Sequence, residues 1–416
     1  MKRLKIGIFG AYRGEAMIRA CKQSNLAEVV AICDKWDDAI EKQKKANEGL
    51  DITYYKTFDE FIKHDMDAVV LANYANEHAP FAIRCMEAGM HVYSEVLPAQ
   101  NMDEAVRLVE CVEKTGKIYA YGENYCFMSG VYEMRRLYQK GELGEFEYGE
   151  GEYIHDCGDI WPEITYGDPD HWRNNMYSTF YCTHSLGPII HATGLRPVSV
   201  VGIESPLIYG AVQSGSRSSL FGMEMVTLEN DGIIKSIHGG LYKRSVWYSI
   251  YGRKGRAETA REDACGDKFN RVYTNIDPYR GGGAEAVLST YLPKVPDEAR
   301  GFSHGGSDYI AIDNFFRRLS GDKTADIIDV YEALDMWMPG LFAHFSILDD
   351  NRRKEIPNLR NPEEREKWRG DKRCTDKKVA GDQLLPTFSK GTPYIEPEVY
   401  ERIRALWQKK LEEADV

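Results

Sequence analysis

Leu4-Lys5-Ile6-Gly7-Ile8-Phe9-Gly10-Ala11-Tyr12-Arg13-Gly14 decides the reading of this chain. The apolar run Leu4–Phe9 reads as a strand, and the glycine pair after it opens a helix. There, backbone N–H groups and the helix dipole can receive a pyrophosphate. The usual three-glycine spacing is not met, so the turn takes its meaning from position. About twenty residues on, where dinucleotide folds place an acidic group for the adenosine ribose, a second apolar run ends at Cys33-Asp34. Asp34 would also repel a 2′-phosphate, so the pattern favours NAD. Lys35 beside it is placed to hold a phosphate, which keeps NADP as the second choice. Gly10, Ala11, Tyr12, Arg13, Gly14, Asp34 and Lys35 are the nucleotide-site candidates from this stretch.

Working outward, short apolar runs alternate with helix-patterned segments. Leu4–Phe9, Glu28–Cys33, Ala68–Ala72, His91–Tyr93 and Ile118–Tyr121 are predicted strands, nearly continuous in apolar character and so buried on both faces. Asn101 and Glu104 predict a capping box ahead of a helix to Thr115, and Thr57 with Glu60 predicts another helix start. Strands alternating with helices imply a doubly wound parallel sheet with its ligand at the strands' carboxyl ends. After a helix around Val131–Lys140, the runs lengthen and alternate: Glu145–Ile154, Val198–Ile203, Met223–Leu228, Ile233–His238 and Trp247–Tyr251 predict an open antiparallel sheet. Residues 349–383, rich in charge, Pro and Gly, predict a long surface loop. A final helix near Pro397–Leu411 is predicted to gather Val399, Ile403, Leu406, Trp407 and Leu411 on one face. The fold class is α/β: residues 1–125 form a Rossmann NAD-binding domain. Residues 126–416 form an α+β substrate-binding domain whose open sheet is the expected surface for homo-oligomerisation.

A chain of 416 residues with 43% apolar content supports two domains. Its net charge of -12, from 65 acidic and 53 basic residues, argues against nucleic acid or an anionic membrane as partner and for a small molecule. Nine cysteines without a C-x-x-C pair suit reduced core thiols. No stretch reaches the roughly 18 apolar residues of a membrane span, and the first apolar run reads as a strand and not a secretion signal, so the expectation is a cytoplasmic protein.

The motif order resembles the Gfo/Idh/MocA oxidoreductases. The likeness rests on the Gly10–Gly14 turn, Ala72-Asn73-Tyr74-Ala75-Asn76-Glu77-His78, Gly89-Met90-His91-Val92-Tyr93-Ser94-Glu95 and Tyr121-Gly122-Glu123-Asn124-Tyr125. It implies that Asn73, His78, Glu95 and Asn124 lie along the cofactor. Family dehydrogenases typically carry Glu-Lys-Pro where this chain has Glu95-Val96-Leu97-Pro98; Val96 cannot assist deprotonation, so the proton acceptor must come from elsewhere. Asp170-His171-Trp172-Arg173 and Tyr181-Cys182-Thr183-His184 are similar to the family's NAD-dependent glycosidases, which have a Tyr-x-x-His there. So are Gly151-Glu152-Tyr153-Ile154-His155-Asp156 and Ser303-His304-Gly305-Gly306-Ser307-Asp308-Tyr309.

Oxidising a secondary alcohol requires a base for the hydroxyl proton while hydride leaves the same carbon. His184 is the first candidate, with Tyr181 sharing the proton if Arg173 lowers its pKa. Trp172 can pack on a pyranose or the nicotinamide, and with Arg173 is assigned to the cofactor side. Tyr153, His155, Asp156, Asp170 and His304 are candidates for binding sugar hydroxyls. Singly, each reads as a satisfied core or turn residue; the cluster favours chemistry. His155, Asp156, Asp170, His171 and His184 match no strong metal spacing, so no metal is expected. Three functions are compatible: an NAD-dependent oxidoreductase acting on a sugar or glycoside ring hydroxyl, a redox-neutral glycosidase in which Tyr181 and His184 divide the proton transfers, and a non-catalytic NAD sensor.

Overall fold

A computed structural model describes residues 2–207, 214–262, 270–276 and 287–414. Six strands, β1 (Leu4–Phe9), β2 (Ala27–Cys33), β3 (Thr53–Tyr55), β4 (Ala68–Leu71), β5 (His91–Ser94) and β6 (Tyr119–Tyr121), form a parallel sheet in the order β3-β2-β1-β4-β5-β6. The chain winds one way from β1 to β3 and the other way from β4 to β6. The crevice between β1 and β4 therefore opens above the Gly10 turn, where such sheets bind ligands. Strand β3 is an addition to the predicted set; at three residues with little alternation, it carried almost no pattern. Asn101 caps the helix Met102–Thr115, its Oδ1 accepting from Glu104 N at 2.9 Å. Glu104 reaches back to Gln100 N rather than to the cap residue itself. At Thr57 the hydroxyl meets Glu60 instead of the backbone, and the helix there, Phe58–Phe61, runs one turn.

Nine further strands, β7 (Phe146–Ile154), β8 (Pro197–Glu204), β9 (Phe221–Leu228), β10 (Ile233–Gly239), β11 (Ser245–Gly252), β12 (Gly255–Thr259), β13 (Val272–Ile276), β14 (Val287–Tyr291) and β15 (Lys354–Glu355), make the second sheet. Its order is β14-β13-β12-β11-β7-β10-β9-β8-β15. The sheet is mixed rather than purely antiparallel: β7 lies between β10 and β11 and runs parallel to β10. The helices Thr183–Thr193 and Val330–Leu348, almost wholly buried, cover one face. Residues 349–383 run as a strap with two short helices across the first domain: Gly370 N–H donates to Asp103 Oδ1 at 2.9 Å and Arg365 pairs with Glu113 at 2.8 Å. The final helix, Pro397–Ala414, buries Val399, Tyr400 and Ile403, but Leu406 and Leu411 are exposed. Its apolar stripe is narrower than the spacing predicts, because only the first turns pack down. Among the described residues no helix is long and apolar enough to cross a membrane.

His191, on the helix Thr183–Thr193, is buried between Glu332 (2.7 Å) and Asp326 (3.4 Å). Burial alone would lower its pKa, but the carboxylates outweigh it and hold the imidazole at about 9. That lies above the value of about 6.5 expected in the unfolded chain, so this contribution to stability is complete below about pH 6.5 and is lost as pH rises through about 9. Denaturant titrations across that range are expected to show stability falling with pH, and falling less steeply in His191→Gln.

Candidate active site

The glycine turn is shaped by close packing. Gly10 has φ +100°, and a Cβ there would stand 2.3 Å from the Ala72 carbonyl oxygen at the end of β4. Ala11 N–H donates to Asp34 Oδ2 at 2.7 Å, and Trp36 N–H to Asp34 Oδ1 at 2.9 Å. Asp34 is buried, and its carboxylate ties the turn to the end of β2 while keeping lone pairs for further donors. Lys35 Nζ lies 4.1 Å over the Tyr74 ring. Tyr166, reaching from the second domain, packs on Trp36 (5.2 Å) and on Trp407 of the final helix (5.0 Å), so an aromatic wall stands beside the Asp34 end of the crevice. Tyr12 is 70% exposed.

Arg13 leaves the turn and enters an ionic network at the strand ends, pairing with Glu95 at 2.9 Å and Asp308 at 3.1 Å. Asp308 also accepts from Asn124 Nδ2 at 2.7 Å and lies 3.0 Å from His304 Nδ1. Burial opposes ionisation of Asp308, but His304 and Arg13 together hold it well below the usual carboxylate range. Glu95 goes the other way: burial lifts its carboxyl although Arg13 pulls it down. Asp308 is thus the hub that draws Arg13, Asn124 and His304 together. Its place in the Ser303–Tyr309 stretch was visible in sequence, but its role was not. His78 is buried with Nδ1 on the Leu97 carbonyl (3.0 Å) and Nε2 on the Asn73 carbonyl (3.3 Å), so it braces two strand-end loops. Burial keeps it neutral, with a pKa of about 4.

His184 begins the helix Thr183–Thr193 and is 7% exposed. Three strands fix that helix end. Gly151 on β7 lets Ser185 approach, Ser236 on β10 hydrogen-bonds Ser185 at 2.8 Å, and Tyr248 on β11 donates its hydroxyl to the His184 carbonyl at 2.5 Å. His184 Nδ1 lies 2.8 Å from Glu123 Oε1, and Thr183 Oγ1 donates to Glu123 Oε2 at 2.7 Å. A carboxylate only accepts, so Nδ1 carries a proton and Nε2 is the nitrogen left for other partners. Glu123, fully buried, is the residue that the sequence reading passed over. It sits beside Asn124 in a quoted motif, but nothing local shows that it faces a residue 61 positions away.

Tyr181 lies flat on His184, ring centroids 5.6 Å apart and planes within 5°. Tyr153 and Tyr125 pack on the same imidazole at 4.5 and 4.7 Å. Arg173 stands over both Trp172 (4.5 Å) and Tyr181 (5.4 Å). The expectation that Arg173 lowers the Tyr181 pKa needs correction. Arg173 pulls in that direction, but burial is the larger effect and the phenol is raised overall, so it remains protonated near neutrality. The protonated phenol is a hydrogen-bond donor stacked on the His184 ring.

The remaining candidates are less convergent. His155 Nδ1 meets Cys157 Sγ at 2.8 Å, its Nε2 contacts Arg244, and burial together with the Arg244 charge lowers its pKa to about 4. Asp156 caps a local turn through Gly158 N at 3.0 Å. Asp170 pairs with Lys377 at 2.8 Å, in a cavity lined in part by Trp172.

A doubly wound crevice with an aspartate at the end of β2, joined to a sheet-and-helix domain that carries the His184–Tyr181 pair, is the architecture of a dinucleotide-binding oxidoreductase fold. Residues 4–123 match the family described as the Gfo/Idh/MocA oxidoreductase family with an NAD-binding Rossmann fold. The chain is 24% identical over 402 residues to glycosyl hydrolase family 109 protein 1 of Bacteroides thetaiotaomicron, covering 86% of this chain and 85% of that one. Over 204 residues it is 28% identical to an alpha-N-acetylgalactosaminidase of Shewanella oneidensis, covering 45% and 44% of the two chains. Among solved structures, a levoglucosan dehydrogenase in complex with NADH and levoglucosan superposes with TM-score 0.70 at 16% identity, covering 86% of this chain and all of that one, which shows a shared fold. The resemblance read from the motifs therefore stands, and it leans to the glycosidase-like branch.

Proposed function

We propose that the chain is a redox-neutral, NAD-dependent glycoside hydrolase acting on a sugar ring hydroxyl. The observation that carries this is the His184–Tyr181 pair: an imidazole oriented by Glu123 and a protonated phenol stacked on it, at a site where Val96 replaces the family's lysine. The likeness to glycosyl hydrolase family 109 proteins over most of the chain supports the same reading. The crevice fits a dinucleotide: the tight Gly10 turn exposes a helix N-terminus, Asp34 retains acceptor capacity, and Asn73 Oδ1 is buried without a partner among the described residues. Gly10 to Gly14 would hold the pyrophosphate, Asp34 the adenosine ribose, and Asn73, Glu95 and Asn124 the nicotinamide half. When bound, NAD would supply reversible hydride transfer from and back to C3 of the sugar.

His184 Nε2 takes the C3 hydroxyl proton as the carbonyl forms. His184 then releases that proton to solvent; the new carbonyl acidifies the neighbouring C2 proton, which the freed Nε2 removes as the anomeric substituent is expelled, while Tyr181 supplies a proton to the departing oxygen. Water then adds at C1 and gives its proton to the Tyr181 phenolate, His184 returns a solvent-exchanged proton to C2, and return of the hydride to C3, with a proton delivered to its oxygen through His184, would restore the sugar with no net redox change. The expected test result is deuterium at C2 of sugar released in heavy water, with N-acetylgalactosaminides as first substrates. Release without label at C2 would discard the elimination route. The second reading, net oxidation of the ring hydroxyl, predicts a free keto sugar and reduced cofactor instead.

Asp34→Asn is expected to weaken NADH binding by about tenfold and to narrow the preference over NADPH, measured by nicotinamide fluorescence titration. We also infer self-association through the outer face of the second sheet, where Ile203, Met225 and Ile233 are 40–47% exposed. Met225→Glu is then expected to reduce the mass seen by analytical ultracentrifugation, and an unchanged monomer mass in both proteins would reject the idea.

A further inference from the structure

A cavity of about 220 Å³ is lined in part by Trp172, a ring neighbour of Tyr181. Asn76, in the short 3-10 turn Ala75–Glu77 after β4, lines it together with Trp172 and Phe180, with Lys377, Lys378 and Leu385 from the strap after Cys374, and with Arg217. Trp172 and Phe180 are also neighbours of Tyr181, with ring centroids at 6.2 and 5.5 Å. Whatever is attached to a sugar held against Tyr181 is therefore one aromatic layer away from this cavity.

The charges in it are unequal. Asp376 spends Oδ2 on Asn76 Nδ2 (3.0 Å) and Oδ1 on the Lys378 backbone N–H (2.9 Å). Asp170 is paired with Lys377 at 2.8 Å. Among the described residues, Arg217 and Lys378 have no ion-pair carboxylate, and Arg217 Nη1 donates to the neutral Asn175 Oδ1 at 2.8 Å. Lys377, Arg217 and Lys378 all favour the ionised form of Asp170, which places the three cations around one carboxylate. Three cations against two satisfied carboxylates leave a cationic pocket on a chain whose net charge is -12, where retained positive charge selects for anions. The aromatic wall adds a surface for a flat or apolar group beside that charge.

We propose that this cavity is a subsite for an anionic group, carboxylate, sulfate or phosphate, borne by the part of the glycoside beyond the reacting ring, with Arg217 and Lys378 as its recognition residues. The placement relative to the reacting ring rests on the glycosidase reading; the affinity for an aryl anion does not. The test is ligand-detected NMR titration of the full chain, loaded with NAD, using benzoate, phenyl phosphate and neutral benzamide. Benzoate or phenyl phosphate is expected to bind at least about tenfold more tightly than benzamide, since a charge-assisted contact is worth about one to two factors of ten. Lys378→Gln and Arg217→Gln should each remove most of that preference, whereas Lys409→Gln, on the exposed final helix, should keep it. Preference for benzoate indicates a carboxylated substituent, and preference for phenyl phosphate a phosphorylated or sulfated one. Equal binding of all three probes, no binding of any, or retention of the preference in both cavity variants would overturn the proposal. Because no turnover is read, absence of hydrolysis would count against the glycosidase reading and leave this result intact.

Discussion

Replacing His184 by alanine is expected to lower turnover by about 10²- to 10⁴-fold while leaving NAD affinity within error, since the imidazole is the base proposed to work beside Tyr181. Glu123→Gln tests how that acceptor is held. The Glu123 carboxylate touches no expected substrate atom. It receives Thr183 Oγ1 on one oxygen and faces His184 Nδ1 with the other, at 2.7 and 2.8 Å. An amide there presents an N–H group to one of these partners, so the ring loses its fixed tautomer and orientation. The expected pattern is a fall in kcat of about tenfold or more with KM little changed, because the lost interaction matters to proton transfer and not to binding. Partial recovery in Glu123→Asp would mark a positioning role. A Glu123→Gln enzyme with normal kcat would show that His184 needs no partner.

Gly151→Ala is the second large effect expected, at a residue that meets no substrate. A Cβ at this point of β7 would stand 1.8 Å from the Ser185 carbonyl oxygen and 2.7 Å from its carbon. Both sides of the clash are backbone, so the strand or the helix must move, and the helix carries His184 one residue earlier. Overpacking of this sort costs about 1–3 kcal/mol, and a shift of about 1 Å in a catalytic group costs about 100-fold in rate. The variant is expected to melt lower and to lose kcat disproportionately to any loss of NAD binding. Gly240→Ala serves as a control near the same sheet, since its nearest neighbour would be the flexible Leu220 Cδ1 at 3.5 Å. Equal effects of the two substitutions would show that the Gly151 contact does not position the site.

The first sheet was readable because its strands are buried on both faces, so that apolar runs such as Ala68–Leu71 stand out from any register. Strands β12 to β15 were not, for they are short and rich in polar or charged residues: Gly-Arg-Ala-Glu-Thr in β12 and Lys-Glu in β15 are strands by pairing alone. The parallel β7–β10 pair was equally hidden, as alternation reports a half-buried strand but not its neighbour's direction. At the site, Tyr181 and His184 were legible as a spaced pair, and the structure stacks them. Glu123 and Asp308 were not, because each acts through partners far away in sequence: Glu123 on residue 184, and Asp308 on Arg13 and Asn124. The Tyr181 error has the same origin. A sequence shows that Arg173 is near, but the degree of burial that outweighs it belongs to tertiary packing.

The most direct test of the central claim follows the absorbance of reduced nicotinamide and the release of free sugar in one cuvette, with purified chain, NAD and a panel of glycosides. Sugar release over many turnovers with no lasting rise in reduced cofactor is the expected result. Reduced cofactor accumulating in step with a keto sugar, and no free reducing sugar, would contradict it and make the chain a net dehydrogenase.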